Sequence, residues 1–144
     1  MKKLLFLCTG NYYRSRYAEI LFNWRAAAEG LAWQADSRGL MPDPANPGPM
    51  SRDTMAALRG LQIPFDTYLR LPLTVEEIDF RAADHVVAVK EREHRPMIER
   101  RFASWLARVE FWHVDDLDCC GPEVAIPHLD REVAALLERL RGVA

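Results

Sequence analysis

Cys8 and Arg14 are separated by five residues in the segment Cys8-Thr9-Gly10-Asn11-Tyr12-Tyr13-Arg14-Ser15. Those two residue types at that spacing can attack and hold an oxyanion. The nucleophilic form of cysteine is the thiolate. A helix N-terminus and a neighbouring guanidinium lower a thiol pKa from about 8.5 into the ~3.5–7.5 range. Arg14 offers a planar fork able to grip two oxygens of a tetrahedral oxyanion. Bent into an arc, the backbone N–H groups of Thr9, Gly10, Asn11, Tyr12 and Tyr13 form an anion nest between them. Gly10 permits an unusual backbone angle, and Asn11 tolerates left-handed geometry. Ser15 is placed to donate its hydroxyl to the same sulfur, to cap a helix, or both.

Such an arc needs a strand before it and a helix after it. Lys3–Cys8 is a short apolar run stopped at Thr9-Gly10, the pattern of a buried strand. From Ser15, Ala18, Leu21, Phe22 and the stretch Arg25–Ala28 recur at helical spacing, and Gly30 marks the stop. Leu31–Ser37 reads as a second strand, closed by Ser37-Arg38-Gly39. Residues 41–50 contain Pro42, Pro44, Pro47 and Pro49, which excludes regular structure. Ser51 then caps a helix with Met55, Leu58 and Leu61 on its apolar side. Thr74 with Glu77 has the spacing of a capping box. Asp84–Val89 is a strand apolar enough to be covered on both faces. A charged helix is expected over about Glu91–Trp105, a fourth strand over Val109–Val114 and a last helix over Pro122–Leu140. Val124, Leu129, Val133, Leu136, Leu137 and Leu140 form its stripe.

Strands alternating with helices predict an α/β domain with a parallel sheet and helices on both faces, in three layers. Ligands of such sheets bind beyond the carboxyl ends of the strands. Cys8 ends the first strand and Asp115-Asp116 follow the fourth, so both fall on that edge.

Composition narrows the class. The chain has 144 residues, a length typical of one domain over 1–144, and 49% hydrophobic residues are enough for a core. Its 19 basic and 21 acidic residues give a net charge of −2, so no overall field draws it to nucleic acid or an anionic membrane. No stretch approaches the roughly 18 apolar residues of a membrane span. The apolar start is too short for a signal peptide, and a cytoplasmic location is expected. Three cysteines, Cys8, Cys119 and Cys120, argue against a disulfide framework. Neither they nor the four histidines have zinc spacing, so no metal or cofactor is expected.

Cys-x5-Arg-Ser after Leu-Leu-Phe-Leu, followed by Ala18-Glu19, Ser37-x-Gly39 and the C-terminal Asp pair, resembles the low-molecular-weight protein tyrosine phosphatases. The likeness spans the chain, weakly in its middle. It implies a four-stranded parallel sheet with flavodoxin-like winding and a two-step hydrolysis of phosphate monoesters through a phosphocysteine. The substrate would be a phosphotyrosine protein or a small aryl phosphate. Cys8 would be the nucleophile, Arg14 and the loop amides would hold the phosphoryl oxygens, and an Asp would act as acid and then base. Aligned on the strand end, Asp116 takes the acid's position and Leu117 replaces the family's proline. Asp115 and Asp118 remain alternatives.

The chain also departs from that family. Tyr13 stands where many members carry a second loop cysteine, leaving Cys8 without an adjacent resolving thiol. Cys119 and Cys120 are either packing residues or distant substitutes for it. Tyr12 and Tyr13 either pack the loop's outer face or form an aromatic wall for an aryl leaving group. The histidine that often braces the loop Asn is absent from 66–74, where Thr67 or Tyr68 are the candidates. Arg38 either lies on the surface or adds positive potential at the mouth. An arsenate reductase of the same fold shares the Cys-Thr-Gly-Asn-x-x-Arg-Ser loop but needs further cysteines near the third strand, and 84–101 contains none. A non-catalytic phosphate-binding module is the alternative of a different class.

Overall fold

The computed structural model describes residues 1–116 and 121–142. Leu117, Asp118, Cys119 and Cys120, to which the sequence assigns candidate roles, lie outside the described residues.

Four strands form one parallel sheet in the order β2-β1-β3-β4. They are β1 (Lys2–Cys8), β2 (Trp33–Gly39), β3 (His85–Ala88) and β4 (Val109–Phe111). The helices are α1 (Arg14–Ala28), α2 (Arg52–Gly60), α3 (Glu77–Ala82), α4 (Glu91–Arg101) and α5 (Pro122–Arg141). Alternation along β1 sends Leu4, Phe6 and Cys8 to one face and Leu5 and Leu7 to the other. The first face meets α1, α2 and α5, with Phe6 against Phe22 and Trp112 at ring-centroid distances of 6.2 and 5.5 Å. The second meets α3 and α4 through Phe80 and Ile98. This is the three-layer α/β architecture expected from the sequence. Among the described residues, no helix is long and apolar enough to cross a membrane.

Several boundaries differ from the sequence reading. The capping box is Glu76 with Asp79, not Thr74 with Glu77. Thr74 instead pairs with Gly39 as an extension of the sheet. The charged helix ends at Arg101 because Phe102 leaves helical geometry, at φ −139° and ψ 42°, to lay its ring on Phe80. A 3₁₀ segment, Ala103–Arg108, follows. β4 stops at Phe111, although Trp112 and Val114 still donate to Ala88 O and Val89 O. Val124 is exposed and Ala125 takes its place in the α5 stripe, one residue and about 100° round the helix.

β2 is an edge strand, and the outward backbone groups of Ala35, Ser37 and Gly39 are engaged. Asn23 clasps Ala35, donating to its carbonyl at 3.0 Å and accepting from its N–H at 2.7 Å. Ser37 N–H donates to Asp36, and Ser37 O accepts from Arg38 and Arg70. Gly39 pairs with Leu73 and Val75. A strand closed in this way offers no template for a further strand. We predict that Asn23→Ala lowers the urea midpoint by an amount worth about 1–3 kcal/mol at unchanged m. An unchanged midpoint would show that the clasp contributes nothing.

Candidate active site

Segment 8–15 joins the end of β1 to the first turn of α1 and curls round the sulfur of Cys8. Four of its carbonyls point outward: Cys8 O to Leu40 N, Thr9 O to Met41 N, Tyr12 O to Ser51 N and Tyr13 O to Tyr17 N, at 2.8–3.0 Å. In a trans peptide the following N–H lies on the opposite side. The amides of Thr9, Gly10, Tyr13 and Arg14 are therefore turned away from those partners. The arc is open to an anion at the α1 N-terminus.

Two donors reach the buried sulfur of Cys8. Asn11 N–H lies 3.2 Å from it and Ser15 Oγ 2.9 Å. Ser15 Oγ accepts from the Asn11 side-chain amide at 3.0 Å, which leaves the Ser15 hydroxyl proton available to the sulfur. Among the described residues Cys8 is a free thiol. The special backbone angle falls on Asn11, with φ 50°, and not on Gly10. The amide of Asn11 also donates to Ser37 Oγ at 2.8 Å and accepts from Leu73 N and Arg70 Nη1 at 3.0 Å each. Arg70 is thus the brace that Thr67 or Tyr68 were expected to supply. Ser37 passes its proton to buried Glu19 at 2.6 Å. Gly39 lies so close that a Cβ there would fall 2.9 Å from Thr9 O and 3.1 Å from Asn11 Cβ.

Arg14 is 1% exposed and its fork faces Glu93, at 2.9 and 3.2 Å, and Val114 O at 3.0 Å. Burial works against its charge, but Cys8, Glu93 and Asp116 outweigh that and raise its pKa. Thr9 Oγ1 donates to Glu93 as well. Buried His94 accepts Lys90 N–H on Nδ1 at 3.1 Å, so its Nε2 carries the proton, 3.1 Å from Thr9 Oγ1 and 3.2 Å from Glu93. Burial alone would raise the Glu93 pKa. Bonds from His94, Arg14 and Thr9 reverse that and hold the carboxyl far below its ordinary range. Burial pushes the His94 imidazole down, keeping it neutral.

The two aromatic loop residues divide. Tyr13 is a core residue, 4% exposed, and desolvation followed by the charges of Asp53 and Asp116 pushes its hydroxyl up to about 12. Tyr12 stands half-buried, its hydroxyl donating to Pro47 O at 2.6 Å. Of the described acid candidates, Asp115 is ion-paired with Lys90. Asp116 Oδ2 is 3.4 Å from Arg14 Nη2, with 39% of its side chain exposed. Arg38 neither lies loose on the surface nor charges the mouth, being paired with Asp36 and Asp79. Glu93, His94 and Arg70 were missed from the sequence. The first two begin a helix at the carboxyl edge of β3, the same placement that singled out Asp116.

Comparison with known proteins agrees with this geometry. A family model described as low molecular weight phosphotyrosine protein phosphatase matches residues 3–140. No curated protein matches the chain. Three solved structures are similar over nearly all of it. YfkJ from Bacillus subtilis has a TM-score of 0.85 at 25% identity, over 98% of this chain and 95% of its own. SP-PTP, a low molecular weight protein tyrosine phosphatase from Streptococcus pyogenes, has 0.82 at 21%, over 97% and 93%. The Bacillus subtilis arginine phosphatase YwlE, a Cys-to-Ser mutant with its active-site serine phosphorylated, has 0.81 at 22%, over 98% and 97%.

The depressed Glu93 pKa carries a sign. A carboxyl lowered on folding stabilises the protein fully above its unfolded value of about 4.5, and that contribution is lost as pH falls below it. Glu93→Gln should therefore be less stable at pH 7 and lose less stability on acidification below about pH 4.5, measured by urea unfolding at a series of pH values. Parallel curves for the two proteins would remove Glu93 from the loop's electrostatics.

Proposed function

Because the chain belongs to the low molecular weight phosphotyrosine protein phosphatase family, we propose that it hydrolyses phosphotyrosine and related aryl phosphate monoesters through a phosphocysteine at Cys8. The observation that supports this most directly is the sulfur itself, with two hydrogen-bond donors aimed at it inside an arc of outward-turned carbonyls.

The phosphate dianion docks in the arc, with Thr9, Gly10, Asn11, Tyr12 and Tyr13 supplying backbone and Arg14 supplying charge to the equatorial oxygens. Cys8 Sγ attacks phosphorus, and the sulfur–phosphorus bond forms as the bond to the phenolic oxygen breaks. Asp116 gives its proton to that oxygen. It then takes a proton from water as the water attacks phosphorus, releasing inorganic phosphate and the cysteine thiolate. Ser15 and Asn11 N–H receive the returning charge on sulfur. Asp116 is preferred to Asp115 because Asp115 is tied to Lys90, whereas Asp116 stands beside Arg14. Tyr12, pinned to Pro47, presents a fixed ring at the rim against which an aryl group can rest. The phosphoserine in the YwlE mutant, at its own active-site serine, is consistent with a covalent intermediate at the corresponding cysteine.

Steady-state hydrolysis of p-nitrophenyl phosphate tests this reading. The wild type should turn over, Cys8→Ser should not, and Asp116→Asn should lose about 10²–10⁴-fold in kcat together with one limb of the pH–rate profile. Normal turnover in Cys8→Ser would end the proposal, and normal turnover in Asp116→Asn would move the acid to another carboxylate.

A further inference from the structure

Beside the catalytic loop, on the α4 side of the sheet, lies a cleft of about 210 Å³ lined by Leu40, Met41, Met97, Arg100 and Arg101. Its position relative to the nucleophile is fixed by two backbone bonds. Leu40 N–H donates to Cys8 O at 2.9 Å and Met41 N–H to Thr9 O at 2.8 Å, so the cleft wall and the loop are adjacent strands of chain. Its floor is apolar, from Leu40, Met41 and Met97. Both described charged residues at its rim are arginines, and among the described residues no carboxylate lines it. Arg101 is held in place, donating from Nη1 to Leu40 O at 2.6 Å and stacking over the Phe102 ring at 5.1 Å. Met41 is 63% exposed, leaving an uncovered apolar side chain between the loop and the two guanidiniums.

Several other cations around the loop are already paired. Arg14 has Glu93, Arg38 has Asp36 and Asp79, Lys90 has Asp115, and Arg95 has Glu91. In the cleft, by contrast, guanidiniums and apolar surface meet without a lining acid among the described residues. The geometry points to a subsite for an acidic side chain of a phosphopeptide, close in sequence to its phosphorylated residue. The methylenes of a glutamate lie on Met41 and Met97, and its carboxylate meets Arg100 and Arg101. Guanidiniums recognise a carboxylate by paired hydrogen bonds as well as charge, and arginine clusters are a recurrent means of reading acidic motifs. The inference deepens the phosphatase reading above and rests on it. It makes the preferred substrate an acidic phosphopeptide.

The test uses phosphotyrosyl peptides identical except for Glu, Gln or Lys at positions two to four residues to either side of the phosphotyrosine. The readout is kcat/KM from phosphate release, with p-nitrophenyl phosphate alongside. The wild type should prefer the Glu peptide over the Lys peptide by about three- to tenfold, the effect that one or two exposed ion pairs supply. That ratio should shrink with added salt. Arg100→Glu, which keeps the Arg101–Leu40 bond, should reverse the order, with circular dichroism confirming the fold. Equal kcat/KM for the three peptides in the wild type overturns the subsite while leaving the phosphatase reading in place. So does a Glu preference that survives Arg100→Glu. A wild type that hydrolyses neither the peptides nor p-nitrophenyl phosphate overturns both.

Discussion

The shape of the catalytic loop depends on the side-chain amide of Asn11. Its backbone is left-handed, which is unfavourable by roughly 1–2 kcal/mol for a residue with a Cβ. A glycine would hold that angle without strain, but a glycine has no amide. Asn11 uses both donors, to Ser15 and Ser37, and both lone pairs of its oxygen, for Arg70 and Leu73. It is fully buried, so water cannot replace any of the four. Those bonds reach α1, β2 and the extended segment before α3. The same residue's N–H points at the Cys8 sulfur. The anion cradle is therefore not a property of residues 8–15 alone. It is held open by two other parts of the chain, β2 and the extended segment before α3, meeting on one amide.

On the other side of the loop the constraint is a buried charge. Arg14 keeps its charge at 1% exposure and so requires a partner there, because desolvating a lone guanidinium is far more costly than any single hydrogen bond returns. Glu93 supplies a two-pronged partner from the first turn of α4, and that carboxylate is itself steadied by Thr9 and His94. Thr9 belongs to the loop and His94 to the helix, so the network ties β1 to α4 at the carboxyl edge. Arg14 is oriented before any ligand arrives, which is the preorganisation that electrostatic stabilisation of a phosphoryl transfer needs.

Much of this was legible in the sequence, for reasons particular to each part. The apolar run before Cys8 and the helical periodicity after Ser15 are local patterns, and they placed the loop correctly. The expected edge of the sheet followed from strand–helix alternation and brought Asp116 towards Cys8. What was not legible depends on long-range contacts. Arg70 lies 59 residues from Asn11, and nothing local marks it among the leucines of 69–73. Glu93 lies 79 residues from Arg14 in a run of alternating charges that reads as a solvated helix face. For the unusual backbone angle the sequence offered both Gly10, as glycine, and Asn11, as a residue that tolerates left-handed geometry. The structure gives it to Asn11, whose side chain supplies the compensation. Val124 and the end of α4 failed for a simpler reason, since one residue of phase or one aromatic anchor decides them.

The two braces respond to pH through different groups. Arg70 supports Asn11 with a guanidinium, which does not change charge in the range where an imidazole does. The acid-sensitive group on the Asn11 side is Glu19, which accepts from Ser37 and whose carboxyl burial pushes above its ordinary value. The Arg14 side has a histidine in it. His94 accepts Lys90 N–H on Nδ1, so a second proton on the ring would set two donors against each other. Its pKa is lowered on folding, first by burial, and the stabilisation from the neutral ring is complete above the unfolded value of about 6.5 and declines as pH falls below it. Acid thus acts where Thr9 and Glu93 meet His94, loosening the support of Arg14. The cradle and the charge that fills it are held by separate networks, each with its own acid-sensitive group, Glu19 behind Ser37 in the first and His94 beside Glu93 in the second.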